Sequence, residues 1–163
     1  PSHQKENLLG FDSFEEGFKY FDNQDKHHNW KEKNLQSSYD KVVKRLGKIN
    51  KNSFKLVNGF VEETLPKLIK NKNKIENHQI KHASVILFDM DLMNPTIKAL
   101  DYIKDKLSMG SILIFDNFYM YQCNPSKGEM GALNKFLKKN KNIELMQFGT
   151  YGICGVVYIV KKI

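Results

Sequence analysis

Residues 83–91 read ASVILFDMD, and residues 111–117 read SILIFDN. Each is an unbroken apolar run that ends abruptly on acids. A run of this kind is expected of a strand buried on both faces of a parallel sheet. Between them, Asn94 and Pro95 supply an N-cap and a first-turn proline for a helix running to Leu107, with Gly110 just past its end. Strand, helix, strand is the unit from which parallel sheets are built, and sequential strands of this kind are usually neighbours.

The same alternation extends in both directions. Upstream, residues 7–12 (NLLGFD) read as a short strand closed by Asp12. Apolar residues at Leu35, Tyr39, Val42, Val43 and Leu46 have helical spacing. Residues 53–58 form a strand closed by Gly59, residues 61–69 a helix or turn around Pro66, and residues 70–77 a Lys/Asn-rich solvated connection. Downstream, residues 129–139 are helical, with lysines in the last turn where the helix dipole favours them. Residues 143–148 and 156–160 are two strands separated by the turn 149–155, so they pair antiparallel. The fold expected is α/β and Rossmann-like: a mostly parallel sheet, helices on both faces and a C-terminal antiparallel hairpin, in a single domain over residues 1–163.

Composition narrows the function. The 163 residues hold 40% hydrophobic and 12% aromatic side chains, enough to bury a core. No apolar run approaches the ~20 residues of a membrane helix and no signal-peptide pattern opens the chain, so no membrane partner and a cytoplasmic location are expected. Cys123 and Cys154 cannot between them make a disulfide scaffold or a four-ligand zinc site. The net charge of +8 suggests nucleic acid, but of 26 basic residues only Arg45 is arginine. Arginine is the favoured residue for bidentate phosphate and base contacts. The lysines, scattered apart from clusters at 67–74 and 135–141, read as solvated faces of a Lys/Asn-rich chain, and no nucleic-acid partner is expected.

In an open α/β sheet ligands gather at the carboxyl ends of the strands. Those ends carry Asp12, Asn58, Asp89 with Asp91, and Asp116 with Asn117. The tips after the two long apolar runs would lie about 5 Å apart if the strands are neighbours. Three carboxylates and an amide oxygen then converge, a set of hard oxygen donors that suits Mg²⁺. Taken singly, each acid is explained as well by solubilising a strand end or capping a helix. The two clusters together point to a site. His27 and His28 read as exposed loop residues. Tyr119 and Tyr121, with Cys123, follow the Asp-Asn tip on a loop suited to acceptor contact. Glu129 stands where it could simply favour a helix N-terminus.

FDMDLMNPTIKAL, MGSILIFDNF and NPSKGEMGALNKFL, in this order, resemble the macrocin-type (TylF-like) sugar O-methyltransferases, within the class I S-adenosylmethionine-dependent methyltransferases. LLGFDSFEEGF, NGFVEETLP and FGTYGICGVVYIV extend the likeness from Asn7 to nearly the end of the chain. The resemblance implies transfer of a methyl group from S-adenosylmethionine to a hydroxyl of a sugar or similar small acceptor, with a divalent cation assisting and a homodimer as the assembly. Asp12, with Ser13, would bind the cofactor ribose, and Asn58, Gly59 and Phe60 would lie beside its adenine. Asp89, Asp116 and Asn117 would hold the metal, Asp89 also bordering the cofactor. Asp91, grouped with Asp89 as catalytic, would either support the metal ligands from behind or serve as a candidate base. A bound metal lowers the pKa of a sugar hydroxyl, otherwise a poor nucleophile.

The sequence departs from that family in three places. Asp116-Asn117 replaces two acids and is similar instead to the metal site of catechol-type methyltransferases. Met93 stands where an aromatic is common, which would reshape the acceptor pocket. Residues 1–6 contain no glycine and no apolar strand, so the glycine-rich first unit is not among the residues present. The expectation is a polypeptide that extends upstream, or a truncated methyltransferase-like domain without activity. Asp-x-Asp after an apolar strand also occurs in glycosyltransferases that bind a nucleotide sugar through metal, and that remains the alternative enzyme.

Overall fold

The computed structural model describes residues 8–21, 26–27, 30–49, 54–70 and 81–163. Asn7, His28, Ser53 and residues 71–77, each part of an expectation above, lie outside them. The chain divides into two compact units, Pro1–Tyr20 with His28–Gln79, and Phe21–His27 with Ile80–Ile163.

In the first unit, β1 (Leu8–Asp12) pairs in parallel with β2 (Phe54–Asn58), and Asp12 stands opposite Asn58. The helix between them, α1 (Tyr39–Ile49), begins four residues later than its apolar spacing suggests. Leu35 has φ +59°, a left-handed backbone that cannot open a helix. Glu15 instead takes the N–H of Tyr39 on its carboxylate at 2.7 Å. α2 (Val61–Lys70) is a continuous helix with Pro66 inside it, rather than a turn.

In the second unit, β3 (Val85–Phe88) runs parallel to β4 (Ile112–Phe115), with α3 (Met93–Ile103) crossing between them. A 3₁₀ turn, Lys104–Lys106, finishes α3 early. The helix also starts early, on Leu92 rather than on Asn94. Thr96 secures that start by donating both its N–H and its hydroxyl to the Leu92 carbonyl, at 3.4 and 2.7 Å. Pro95 keeps its place in the first turn, where no N–H is needed. α4 (Gly128–Lys139) precedes the hairpin of β5 (Glu144–Tyr151) and β6 (Gly155–Lys162).

The sheet order corrects the expectation of one mostly parallel sheet. The described strands form two sheets, β1-β2 and β3-β4-β6-β5, and β6 is antiparallel to both β4 and β5. Among the described residues β3 pairs with β4 alone, and its run is not buried on both faces. Phe88 is 1% exposed, while Val85 and Leu87, pointing the other way, are 62% and 60% exposed. Their registered neighbours Ile112, Ile114, Val157 and Ile159 are only half-buried. The opposite face carries Leu113, Phe115, Val156 and Val160, packed with Leu100 of α3 and with Leu133 and Phe136 of α4. Each fully buried side chain of this size contributes about 1.5–3 kcal/mol relative to exposure. No helix among the described residues is long and apolar enough to cross a membrane.

Candidate functional site

The two acidic tips of the second unit are brought together by the core beneath them. Phe88 and Phe115 are register partners whose rings stack at 4.6 Å, with 8° between planes. The next residues are Asp89 and Asp116, and the Asp116 N–H donates to the Phe88 carbonyl at 3.0 Å. Asp89 and Asp116 thus start side by side at the strand ends, as the sequence suggests.

Beyond Asp89 the chain turns sharply. The Leu92 N–H donates to the Met90 carbonyl at 2.5 Å, closing a three-residue γ-turn centred on Asp91 at φ +59°. This turn drives the Asp91 carboxylate inward, to 5% exposure, where its Oδ1 accepts the Asn117 side-chain amide at 2.5 Å. Burial, followed by the charges of Asp89 and Asp116, pushes the Asp91 carboxyl up to about 7. The Asn117 hydrogen bond opposes that shift.

Glu129 lies under both tips. It is fully buried, and its two oxygens accept the Met90 N–H at 3.3 Å and the Asn117 N–H at 3.0 Å. Burial pushes its carboxyl up to about 8 and the nearby Asp91 and Asp89 add to the shift, while the two backbone bonds oppose it. Glu129 is therefore a clamp that ties the β3 and β4 ends to α4, more than a helix-dipole residue. Its sequence signal was its company: it stands in the first turn between Gly128 and Gly131, the two glycines that let α4 approach. A Cβ on Gly131 would fall 2.6 Å from the Ser126 carbonyl carbon and 3.1 Å from the Met93 sulfur. Met93 is thus a core residue under α4, 3% exposed.

Tyr121 is buried against Gly128, where a Cβ would fall 2.5 Å from its ring, and His27 meets it edge-on at 5.0 Å. His27 is accordingly half-buried, not the exposed loop residue expected. Tyr119 is held by its N–H to the Cys154 carbonyl at 3.1 Å and packs on Phe118. Tyr151, which the sequence did not single out, donates its hydroxyl to Asp116 Oδ1 at 2.7 Å. Desolvation and the hydrogen bond to Asp116 hold that phenol above its ordinary range.

Apart from Asp89, the residues expected around the cofactor belong to the first unit. Asp12 Oδ1 accepts the Phe14 N–H at 2.6 Å, and the Asp12 carbonyl accepts the Gly59 N–H at 2.9 Å. Gly59, at φ +121°, turns the chain out of β2 in a conformation that glycine adopts without strain. Asn58 pairs with Asp12, while the Ser13 hydroxyl is spent on the Gly17 carbonyl at 2.7 Å. Phe60 is buried, with the Lys19 ammonium 5.3 Å from its ring centre.

The residue pattern matches a known family model. The macrocin-O-methyltransferase (TylF) model aligns with residues 2–147. The chain belongs to the TylF macrocin-O-methyltransferase family. No curated protein sequence matches it. Among solved structures, the O-methyltransferase NovP superposes with a TM-score of 0.67 at 18% identity, over 98% of this chain and 62% of that one. CalS11, a calicheamicin methyltransferase, gives 0.56 at 21% identity, over 94% and 60%. An O-methyltransferase from Bacillus cereus in complex with SAH gives 0.51 at 12% identity, over 96% and 74%. These likenesses establish a methyltransferase-like α/β fold. This TylF-family chain spans about 60% of the length of the first two structures.

Among the described residues, no group of three or more His, Cys, Asp or Glu is arranged to hold a metal ion. The expected donors are two carboxylates, Asp89 and Asp116, and the Asn117 amide oxygen. All are hard oxygens, and the ionised groups acting on Asp91 are acids only. In donor chemistry the set therefore fits a divalent cation.

Proposed function

We propose that this protein transfers a methyl group from S-adenosylmethionine to a hydroxyl of a sugar-like small acceptor. The observation that carries the reading is the buried Asp91, Asn117 and Glu129 network at the paired ends of β3 and β4, in a chain of the TylF family. In the first unit we assign Asp12, with Ser13, to the cofactor ribose, and Asn58, Gly59 and Phe60 to the adenine. In the second unit we assign Asp89 to the methyl-donor side, and Tyr119 and Tyr121 to the acceptor.

The acceptor oxygen attacks the methyl carbon in line with the sulfonium. The C–S bond breaks as the C–O bond forms, leaving S-adenosylhomocysteine and a methyl ether. The hydroxyl proton passes to the Asp91 carboxylate at the paired strand ends, a carboxylate being a suitable general base when held within reach of the hydroxyl. Asn117 and the γ-turn hold that carboxylate in place, and such positioning supplies a large part of the acceleration. Asp89, Asp116 and the Asn117 amide oxygen would hold a divalent cation, which when bound makes the acceptor hydroxyl more acidic.

Thermal unfolding of the full chain with increasing S-adenosylhomocysteine tests this reading. A ligand that binds only the native state stabilises it by about 2.7 kcal/mol at a hundred times its Kd. A melting temperature that climbs with ligand concentration is expected. A flat response at millimolar ligand overturns the proposal.

A further inference from the structure

β5 ends on Tyr151, and the register places Gly155 directly across the hairpin from it. The tyrosine ring lies on the bare α-carbon of that glycine. A Cβ on Gly155 would fall 2.5 Å from both Cε1 and Cζ of the ring, closer than real Cβ contacts allow. Packing an aromatic ring over a cross-strand glycine stabilises a hairpin by itself. It does not account for the hydroxyl, which reaches past the hairpin to Asp116 Oδ1 at 2.7 Å. Nor is the ring a core element, since Tyr151 is 38% exposed.

We infer that Tyr151 is a positioning residue of the site: seated by Gly155, it fixes the orientation of the Asp116 carboxylate beside Asn117. The inference deepens the methyltransferase reading and rests on it for its purpose. The Asp116 backbone is already pinned by its N–H bond to Phe88. The tyrosine adds control of the side chain, committing one of its two oxygens. A hydrogen bond to a charged group is shorter and stronger than a neutral one, so it can hold a carboxylate even at a partly exposed position.

Two substitutions break the contact by different routes. Tyr151→Phe removes the hydroxyl and keeps the ring. Gly155→Ala keeps the hydroxyl and displaces the ring, at a position whose φ is not in the left-handed region. The readout is the side-chain carboxyl carbon resonance of Asp116 in carbon-detected NMR of the full chain, assigned by its loss in Asp116→Asn. Glu144, paired with Lys162 at 3.1 Å, is the internal reference. The expected result is a shift of the Asp116 signal in both variants, in the same direction, with Glu144 unmoved. An Asp116 signal unchanged in Tyr151→Phe overturns the inference, whatever Gly155→Ala does. So does a Glu144 shift of equal size, which would report a general loosening of the hairpin. Calorimetric titration of S-adenosylhomocysteine into the wild-type protein is run alongside. Its failure would sink the methyltransferase reading while the carboxyl signal still decides the contact.

Discussion

Asn117 donates its side-chain amide to Asp91 at 2.5 Å, joining the loop after β4 to the turn after β3. An amide at 117 can neutralise crowding that a second acid would worsen. It donates to Asp91 while its own oxygen stays available, in a neighbourhood whose other charges are Asp89 and Asp116.

Asn117→Asp removes that donor and adds a carboxylate beside a buried one. A hydrogen bond to a charged group contributes about 1.5–3 kcal/mol, which for a domain of this size is roughly 3–12 °C in Tm. Calorimetry at pH 7.5 should show a fall in that range. An unchanged Tm would mean that the Asp91 contact carries no weight.

Glu129 and Asp91 make stability pH-dependent in an unusual direction. Their folded pKa values, about 8 and about 7, lie above the ordinary 4.5 and 3.8, so folding favours the protonated forms. Their contribution is complete below the ordinary values and is lost as pH rises through 7 and 8. Melting temperature should therefore decline from pH 5 to pH 9. Glu129→Gln cannot titrate, so its decline over the same interval should be shallower, although it begins lower for want of one acceptor. Parallel pH profiles for the two proteins would refute this assignment.

Gly128→Ala should be among the more damaging single-methyl changes in the chain. The position has φ +56°, costing about 1–2 kcal/mol for a side chain, and the new Cβ would press on the Tyr121 ring and come within 3.3 Å of the Asp91 carbonyl. Denaturant unfolding should show a loss of at least that size. A neutral result would show that Tyr121 yields easily and does not wall the site.

Asp12→Ala tests the cofactor half separately. It should weaken S-adenosylhomocysteine binding tenfold or more, about 1.4 kcal/mol. It should leave the Asp116 carboxyl resonance where it was. Equal affinity in the variant would remove Asp12 from the ribose.

The strand tips were legible in the sequence because apolar runs and terminal acids are local signals. Asp89, Asp91, Asp116 and Asn117 follow directly from where ASVILF and SILIF stop, and the Phe88–Phe115 pairing follows from their order. Other features depend on partners distant in the chain. The α3 start on Leu92 is set by Thr96 bonding back to its carbonyl, which outcompetes the cap that Asn94 offers. Val85 and Leu87 are exposed on one face of the sheet, and an apolar run does not report which of its faces is covered. Tyr151 was hidden for the same reason, and of Glu129 the helix-terminal position was legible but not its bonds to Met90 and Asn117. Each acts across a long sequence separation, through a glycine that gives room to a neighbour.

Asp91 is subject to two constraints that no other residue type meets together. Its backbone lies in the left-handed region, where Asn and Asp are the side chains best tolerated after glycine. The proton transfer proposed for it requires an acid short enough to meet Asn117 within that turn. Glycine and asparagine satisfy the first demand and lose the carboxylate; glutamate keeps the acid and strains the turn. If Asp91 is the base proposed here, any change at this position gives up either the turn or the acid, and the residues around it are where the site can vary.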